Sequence, residues 1–272
     1  MIIKSNNAEV AWKGDYEDLV SEETYQSILN ELPEGEIIED KNDAEWVISI
    51  LEGDNDIEVE DNTIRRYGEP GETMFDWDLV YLTQQAIERQ LAERGLHTLH
   101  AGAVEKDDSS VIFAGPSMTG KSVLTAYGVN NDYNFAGGEK VVINGEEIVS
   151  GSRRIDVGEE ASNKFLDGEV VSRELDPVTD SDIEAIVFPK LTNGEISVTN
   201  LSPIKGRLKL MEVLDEKLRG DFLLSEQTLP PYSLENDETR LSRRDVLEDL
   251  DTEYLFVEGR PEEIYEKVEE LL

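Results

Sequence analysis

The alternation of apolar and polar residues predicts a strand-rich beginning followed by alternating helices and strands. Residues 1–75 contain short strand-like stretches separated by Gly, Asn and Asp. One helix is predicted after Ser21, whose hydroxyl can cap the first turn. Residues 76–94 carry apolar side chains at steps of three and four, which predicts the clearest helix of the chain and ordinary core packing for it. Asp76 is expected to cap this helix and Gly95 to end it.

Beyond residue 95, the pattern predicts a second region built of alternating strands and helices. Residues 96–104 and 111–114 read as two strands joined by an acidic turn, and a short helix follows residues 115–122. Further strands are predicted at 135–143, 146–149, 183–188 and 195–201, and helices at 203–218, at 240–250 and from Pro261 onward. We therefore expect an α/β chain with a strand-rich region over 1–75 and a second domain over 76–272.

The negative charge of the chain limits the classes of molecule that it can bind. There are 62 Asp and Glu residues against 25 Lys and Arg residues, which gives a formal net charge of −37. Nucleic acids and anionic membranes need a basic surface, so both are excluded as partners. An even acidic excess is typical of proteins kept soluble in molar salt, where the Debye length falls to about 3 Å. We therefore expect a halophilic, cytoplasmic protein.

Two further absences limit the chemistry. The chain has no cysteine, so disulfides and thiolate metal sites are ruled out. No stretch approaches the roughly 20 apolar residues that a membrane-spanning helix needs, and the first residues lack the apolar core of a signal peptide.

One segment matches the phosphate-binding pattern G-x-x-x-x-G-K-[ST], between an apolar strand and a predicted helix. The segment consists of Gly115, Pro116, Ser117, Met118, Thr119, Gly120, Lys121 and Ser122. In such P-loop (Walker A) segments the backbone amides surround phosphate oxygens, the lysine contacts the outer phosphates and the hydroxyl holds Mg²⁺. A glycine-containing turn that matches by coincidence is the alternative.

Acidic residues are missing from two segments of this acidic chain. Residues 109–131 contain no Asp or Glu, where the average composition predicts about five. Such a segment suits an anion, although a buried strand and helix also exclude charge. Residues 196–211 are also free of acid and carry three cations, of which Arg207 is the best candidate for a transition-state contact to phosphate. The alternative is a basic helix face that pairs with acidic neighbours.

Five stretches of sequence resemble the C-terminal catalytic domain of HPr kinase/phosphorylase and its smaller relatives. They read LHAGAV, VIFAGPSMTGKS, FAGGEKVVINGEEIV, AIVFPK and LSPIKGRLKLMEVL. In that family a histidine stands fifteen residues before the first loop glycine, and His100 stands fifteen before Gly115. The resemblance implies an HPr kinase-like P-loop core, ATP or another nucleoside triphosphate with Mg²⁺ as cofactors, and a homo-oligomer.

The sequence departs from the family at several positions. The family has an Asp-Asp pair that is implied to bind magnesium and activate the nucleophile, and Gly138 and Glu139 stand in its place. Met118 occupies a position where relatives often have glycine, and Val123 replaces a glutamate of the bifunctional enzymes. The arginine- and glycine-rich signature of true HPr kinases is not recognisable, so phosphorolysis of a phosphoserine protein is not expected.

The resulting prediction is an ATP-binding, Mg²⁺-dependent, HPr kinase-like protein. It would transfer the γ-phosphoryl group to a serine or other hydroxyl of a protein or small molecule. Lys121 and the loop amides would bind phosphates, Ser122 and Glu139 the metal, while Glu139 orients the acceptor and His100 assists. The alternative is a nucleotide-binding regulatory module with little or no phosphotransfer, which the loss of one carboxylate favours.

Overall fold

The computed structural model describes residues 1–14, 19–38, 44–69, 71–166, 168, 172–220 and 232–270. Its mixture of strands and helices confirms the α/β class. The chain divides into two compact units, Met1–Gly95 with Asp215–Ser242 and Leu96–Leu214 with Arg243–Leu272. Within the described residues, no helix combines the length and the apolar character that crossing a bilayer requires.

The elements are numbered in chain order. The strands are β1 (Ile2–Ser5), β2 (Ala8–Gly14), β3 (Glu36–Ile38), β4 (Trp46–Leu51), β5 (Asp56–Glu60), β6 (Thr63–Tyr67), β7 (His97–Leu99), β8 (Ala101–Lys106), β9 (Ser109–Ala114), β10 (Asn134–Gly137), β11 (Val141–Ile143), β12 (Glu147–Gly151), β13 (Arg154–Asp156), β14 (Ser172–Glu174), β15 (Ser181–Leu191), β16 (Ser197–Asn200) and β17 (Glu253–Gly259). The helices are α1 (Glu22–Glu31), α2 (Asp76–Glu93), α3 (Lys121–Asn130), α4 (Glu159–Phe165), α5 (Pro203–Leu210), α6 (Glu216–Arg219), α7 (Asp237–Asp249) and α8 (Pro261–Glu269).

The first unit is built on a sheet with the strand order β3-β1-β2-β4-β6-β5. The β2–β4 and β4–β6 pairs are parallel, and the outer pairs are antiparallel. Ser21 caps α1 as predicted, because its Oγ accepts a hydrogen bond from the Thr24 amide at 3.2 Å. Asp76 is instead the first residue of α2, where its carboxylate accepts the Thr24 hydroxyl at 2.7 Å.

Helix α2 contributes polar contacts as well as its apolar stripe. The predicted apolar residues are buried, and so is Glu88, which accepts a hydrogen bond from the Leu218 amide at 2.8 Å. The Gln85 side chain donates to the carbonyls of Lys217 and Tyr232, both at 2.8 Å. These buried bonds satisfy backbone groups that have left water. Since they tie α2 to the first unit, the observed division of the chain differs from the predicted one at residue 75.

The second unit contains a sheet with the order β10-β8-β9-β15-β12-β11-β7, extended by β17 on β15 and by β16 on β17. Strands β9, β15 and β17 are parallel to one another. Strand β8 is antiparallel to both β9 and β10. The carboxyl ends of β9 and β10 therefore lie at the edge where β8 begins, and this edge carries the candidate site.

The predicted strand over 96–104 is split at His100. Strand β7 pairs with β11, whereas β8 pairs with β9 and β10, so the chain changes partners at this residue. The His100 amide donates to the Val213 carbonyl at 3.0 Å, a bond outside the sheet ladder. The predicted strand over 135–143 is split in the same way, into β10 and β11, and the residues between them include Glu139.

Candidate phosphate-binding site

The glycine loop, residues 115–122, connects the end of β9 to the start of α3. Gly115 and Gly120 have φ angles of 146° and 106°, in the region that side chains rarely adopt. A Cβ on Gly120 would also lie 2.4 Å from Cγ of Leu191. The Leu191 amide donates to the Thr119 carbonyl at 3.3 Å, so the end of β15 supports the loop. Both glycines are therefore required by the path of the backbone.

Lys121 is held inside the glycine loop. Its Nζ donates to the carbonyls of Gly115 and Pro116 at 2.9 and 3.1 Å, and the residue is only 5% exposed. The Thr119 hydroxyl donates to the same Pro116 carbonyl at 2.9 Å, which closes the loop further. The first turn of α3 contains no acidic residue. The structure therefore places a buried ammonium at the amino end of a helix, where an anion is favoured.

The tip of the loop faces solvent. Pro116, Ser117 and Met118 are exposed, and Met118 is fully so. The φ angle of Met118 is 67°, in the left-handed region. This conformation costs a non-glycine residue roughly 1–2 kcal/mol, so glycine would be the less strained residue at this position.

Ser122, Glu139 and His100 meet beside the loop. Ser122 Oγ donates to Glu139 Oε1 at 3.3 Å, and the other carboxylate oxygen, Oε2, lies 3.7 Å from His100 Nε2. The histidine side chain is 22% exposed and the glutamate side chain 34%, so both reach solvent at the mouth of the site. The sheet explains the meeting, because Ala101 pairs with Ala114, which brings His100 next to Gly115.

The residue before Glu139 is a glycine that is packed against another segment of backbone. A Cβ on Gly138 would lie 1.8 Å from the backbone carbonyl oxygen of Arg154. A backbone atom cannot move aside as a flexible side chain can, so the present path of the chain excludes any side chain at 138. Of the two positions 138 and 139, only Glu139 therefore supplies a carboxylate.

The donor set suits a magnesium ion bound together with phosphates. Among the residues that the structure describes, no three His, Asp or Glu side chains converge as a metal-binding group. The Ser122 hydroxyl and the Glu139 carboxylate do supply two adjacent oxygens. Mg²⁺ usually binds one or two protein oxygens and completes its shell with water and substrate phosphates. The two residues fit a metal that arrives with a nucleotide.

Thr125 and Gly102 support the site, although the sequence did not predict them as parts of it. The Thr125 hydroxyl donates to the Lys121 carbonyl at 3.1 Å, in the first turns of α3. A Cβ on Gly102 would lie 2.1 Å from that hydroxyl oxygen, so β8 and α3 approach each other closely there. Glycine inside a strand is the usual sequence signal of such an approach, and LHAGAV contains it.

Arg207 has structural partners. Its guanidinium Nη2 donates to the carbonyls of Glu248 and Leu250 at 2.9 and 3.1 Å, at the carboxyl end of α7. A cation is favoured at that end of a helix by the macrodipole. Lys209 lies over the rings of Phe188 and Phe256, at 5.6 and 5.4 Å from their centroids. The geometry thus gives Arg207 a role in packing α5 against α7, in place of the predicted contact to phosphate.

No protein-family model matches the sequence, and no curated protein matches it. The resemblance of the motifs to HPr kinases therefore stays a prediction.

Proposed function

We propose that the chain binds ATP or another nucleoside triphosphate with Mg²⁺ on the glycine loop, as an HPr kinase-like protein that transfers the γ-phosphoryl group to a hydroxyl. The observation that carries this proposal is the meeting of four groups at one sheet edge. The buried ammonium of Lys121 lies in the loop, and Ser122, Glu139 and His100 form a contiguous chain of contacts beside it. Phosphoryl transfer depends mainly on positioning and on charge stabilisation, which such a set supplies.

Each residue has a distinct part in the proposed reaction. Lys121 and the amides that begin α3 would bind phosphate oxygens, and Lys121 would exchange its loop carbonyl partners for these oxygens. Ser122 and Glu139 would hold the metal, which neutralises charge on the phosphates when bound. Glu139 would also accept a hydrogen bond from the acceptor hydroxyl and thereby orient it. His100 lies on the far side of this carboxylate and would stabilise its charge.

The second candidate function is a regulatory module that binds nucleotide and transfers phosphate poorly. The close approach of Gly138 to the Arg154 carbonyl favours it, because no second carboxylate can be placed there. With one carboxylate, the same group must bind metal and orient the acceptor, which limits the rate of transfer and leaves binding intact.

The test measures nucleotide binding and release of the γ-phosphoryl group in about 2 M KCl, where charge repulsion is strongly screened. The variants are Lys121→Ala and Glu139→Gln, with Lys267→Ala as the control, since Lys267 forms an exposed ion pair with Glu270. We expect Lys121→Ala to lose binding, Glu139→Gln to bind nucleotide but to need more Mg²⁺ and to lose turnover, and Lys267→Ala to match the wild type.

The outcomes separate the two candidates. Turnover in the wild type supports the kinase, and binding without turnover supports the module. A wild-type protein that binds no nucleoside triphosphate, with or without Mg²⁺, refutes both.

A further inference from the structure

We propose that Ser152 is a positioning residue that fixes Glu139 for metal binding. The inference rests on the proposed function, because Glu139 is used there as a metal ligand. Ser152 directly follows β12, thirteen residues after Glu139 and outside the motif segments at the loop. Its role follows from its contacts with the backbone that carries the carboxylate.

One buried serine binds three consecutive residues. Ser152 is 0% exposed, and its Oγ accepts hydrogen bonds from the amides of Glu139 and Lys140 at 2.9 and 3.0 Å. Its own amide donates to the Lys140 carbonyl at 2.9 Å, and its carbonyl accepts from the Gly138 amide at 3.3 Å. The turn between β10 and β11 is thereby attached to Ser152 through the residue before Glu139, through Glu139 itself and through the residue after it.

Glycines bring the two segments into backbone contact around this serine. A Cβ on Gly138 would lie 1.8 Å from the Arg154 carbonyl oxygen, and a Cβ on Gly151 would lie 2.0 Å from the Ala136 carbonyl oxygen. The turn that carries Glu139 therefore cannot move toward β12 and β13. The Ser152 hydrogen bonds keep it from moving away.

The position of the Glu139 carboxylate depends on this attachment. Its two oxygens lie 3.3 Å from Ser122 Oγ and 3.7 Å from His100 Nε2, so a small shift of the backbone separates the candidate metal ligands. A hydroxyl oxygen has two lone pairs and can accept both amides. Alanine at 152 would leave these two amides without that acceptor, and the backbone would shift to find other partners.

Ser150 provides a matched control. It lies in β12, two residues before Ser152, and is also 0% exposed. In the part of the chain that the structure describes, its Oγ has no hydrogen-bond partner. Ser150→Ala therefore removes a hydroxyl of equal burial without touching the Glu139 backbone.

The experiment follows binding of a fluorescent ATP analogue while Mg²⁺ is titrated, and again in EDTA, at about 2 M KCl. The proteins are wild type, Ser152→Ala, Ser150→Ala, Glu139→Gln and the double variant Ser152→Ala/Glu139→Gln. Replacing a residue that orients a metal ligand typically lowers metal affinity about 10–100-fold. We therefore expect Ser152→Ala to raise the Mg²⁺ midpoint about tenfold. Ser150→Ala should keep the wild-type midpoint, and the affinity in EDTA should be the same for the wild type, Ser152→Ala and Ser150→Ala.

The double variant tests whether Ser152 acts through Glu139. If it does, the double variant has the same Mg²⁺ midpoint as Glu139→Gln alone, because the second change has nothing left to disturb. Ser152→Cys keeps an acceptor atom at the γ position, although sulfur is larger and a weaker acceptor than oxygen, and should give an intermediate shift; it covers the case of an unstable alanine variant. Thermal unfolding establishes that each protein is folded at the assay temperature.

Two results would overturn the inference while leaving the proposed function intact. One is a wild-type Mg²⁺ midpoint in Ser152→Ala together with a shifted midpoint in Glu139→Gln. The other is a double variant with a higher Mg²⁺ midpoint than Glu139→Gln, which would mean that Ser152 does not act through the Glu139 carboxylate. Failure of the wild-type protein to bind the analogue at all refutes the proposed function, and the inference falls with it.

Discussion

Replacing Gly102 by alanine should destabilise the second unit, although the same change usually helps a strand. The Cβ would lie 2.1 Å from Thr125 Oγ1, and its next neighbours would be Thr125 Cβ and the Gly138 carbonyl oxygen, both at 3.3 Å. The Thr125 hydroxyl is buried and donates to the Lys121 carbonyl at 3.1 Å. The added methyl group must therefore displace the Thr125 side chain, and with it the hydrogen bond to the helix turn that carries Lys121.

The magnitude follows from two opposing effects. Alanine in place of glycine in a strand interior contributes about 0.5–1 kcal/mol of stability. Overpacking of a well-filled interior costs about 1–3 kcal/mol, so the net expectation for Gly102→Ala is a loss of about 1–2 kcal/mol. Thr125→Ala alone loses one hydrogen bond, worth about 1 kcal/mol. In the double variant Thr125 Oγ1, the atom closest to the added methyl group, is absent. The two losses of stability should therefore not add, and the coupling free energy between the two substitutions should be about 1–2 kcal/mol.

The assay is urea unfolding of the four proteins in about 2 M KCl, with nucleotide affinity as a second measurement. Gly194→Ala is the control, because a Cβ there would have its nearest neighbour at 3.7 Å. We expect Gly102→Ala to lower both the nucleotide affinity and the free energy of unfolding. Adding Thr125→Ala to that variant should restore part of both. A Gly102→Ala protein as stable as the wild type, or strictly additive losses in the double variant, would refute the steric argument.

Three further predictions concern the loop, the pH response and the response to salt. Met118→Gly should stabilise the protein by up to about 1 kcal/mol, since φ is 67° there. Thermal unfolding checks this, and an unchanged or lower melting temperature would contradict it. Burial, with the Glu269 carboxylate nearby, raises the pKa of Tyr133 from 10.0 to about 12. The folded state thus favours the neutral phenol, so this contribution to stability is present below pH 10 and is lost as the pH rises to about 12. Tyr133→Phe should flatten the fall in melting temperature over that range, and an unchanged slope would contradict the assignment. The melting temperature should rise between about 0.1 and 3 M KCl, as expected for a net charge of −37; a flat response would refute the halophilic interpretation.

Local signals in the sequence predicted much of the second unit. Strand β9, the glycine loop and α3 follow from an apolar run, a motif and a helical pattern, all within one short segment. The change of partner at His100 was not predictable, because LHTLHAGAV is apolar enough for one strand and the pairing of β7 with β11 depends on residues more than 40 positions away. The contact between His100 and Glu139 is set by the same long-range pairing.

The polar residues of α2 show the same limit in the first unit. The apolar periodicity predicted the buried stripe correctly, but Gln85 and Glu88 carry no signal that they are buried. Their partners are backbone groups near Lys217 and Leu218, more than 100 residues away in the chain. A polar residue on a helix is predicted to face solvent unless a buried hydrogen-bond partner is known. For this reason the division of the chain could not be placed from periodicity alone.

The absence of acidic residues has a different physical cause in each of the two acid-free segments. In 196–211, Arg207 is bound to carbonyls at the end of α7 and Lys209 covers two aromatic rings, so an acid there would compete with packing contacts that the cations already make. In 109–131, the single charge is Lys121, and its carbonyl partners belong to the loop that begins α3. A phosphate reaching these amides would replace the carbonyls around the ammonium without breaking contact between helices. To bind an anion, Arg207 and Lys209 would have to give up packing contacts, whereas Lys121 would exchange carbonyls of its own loop, and this difference supports the proposed phosphate site at the glycine loop.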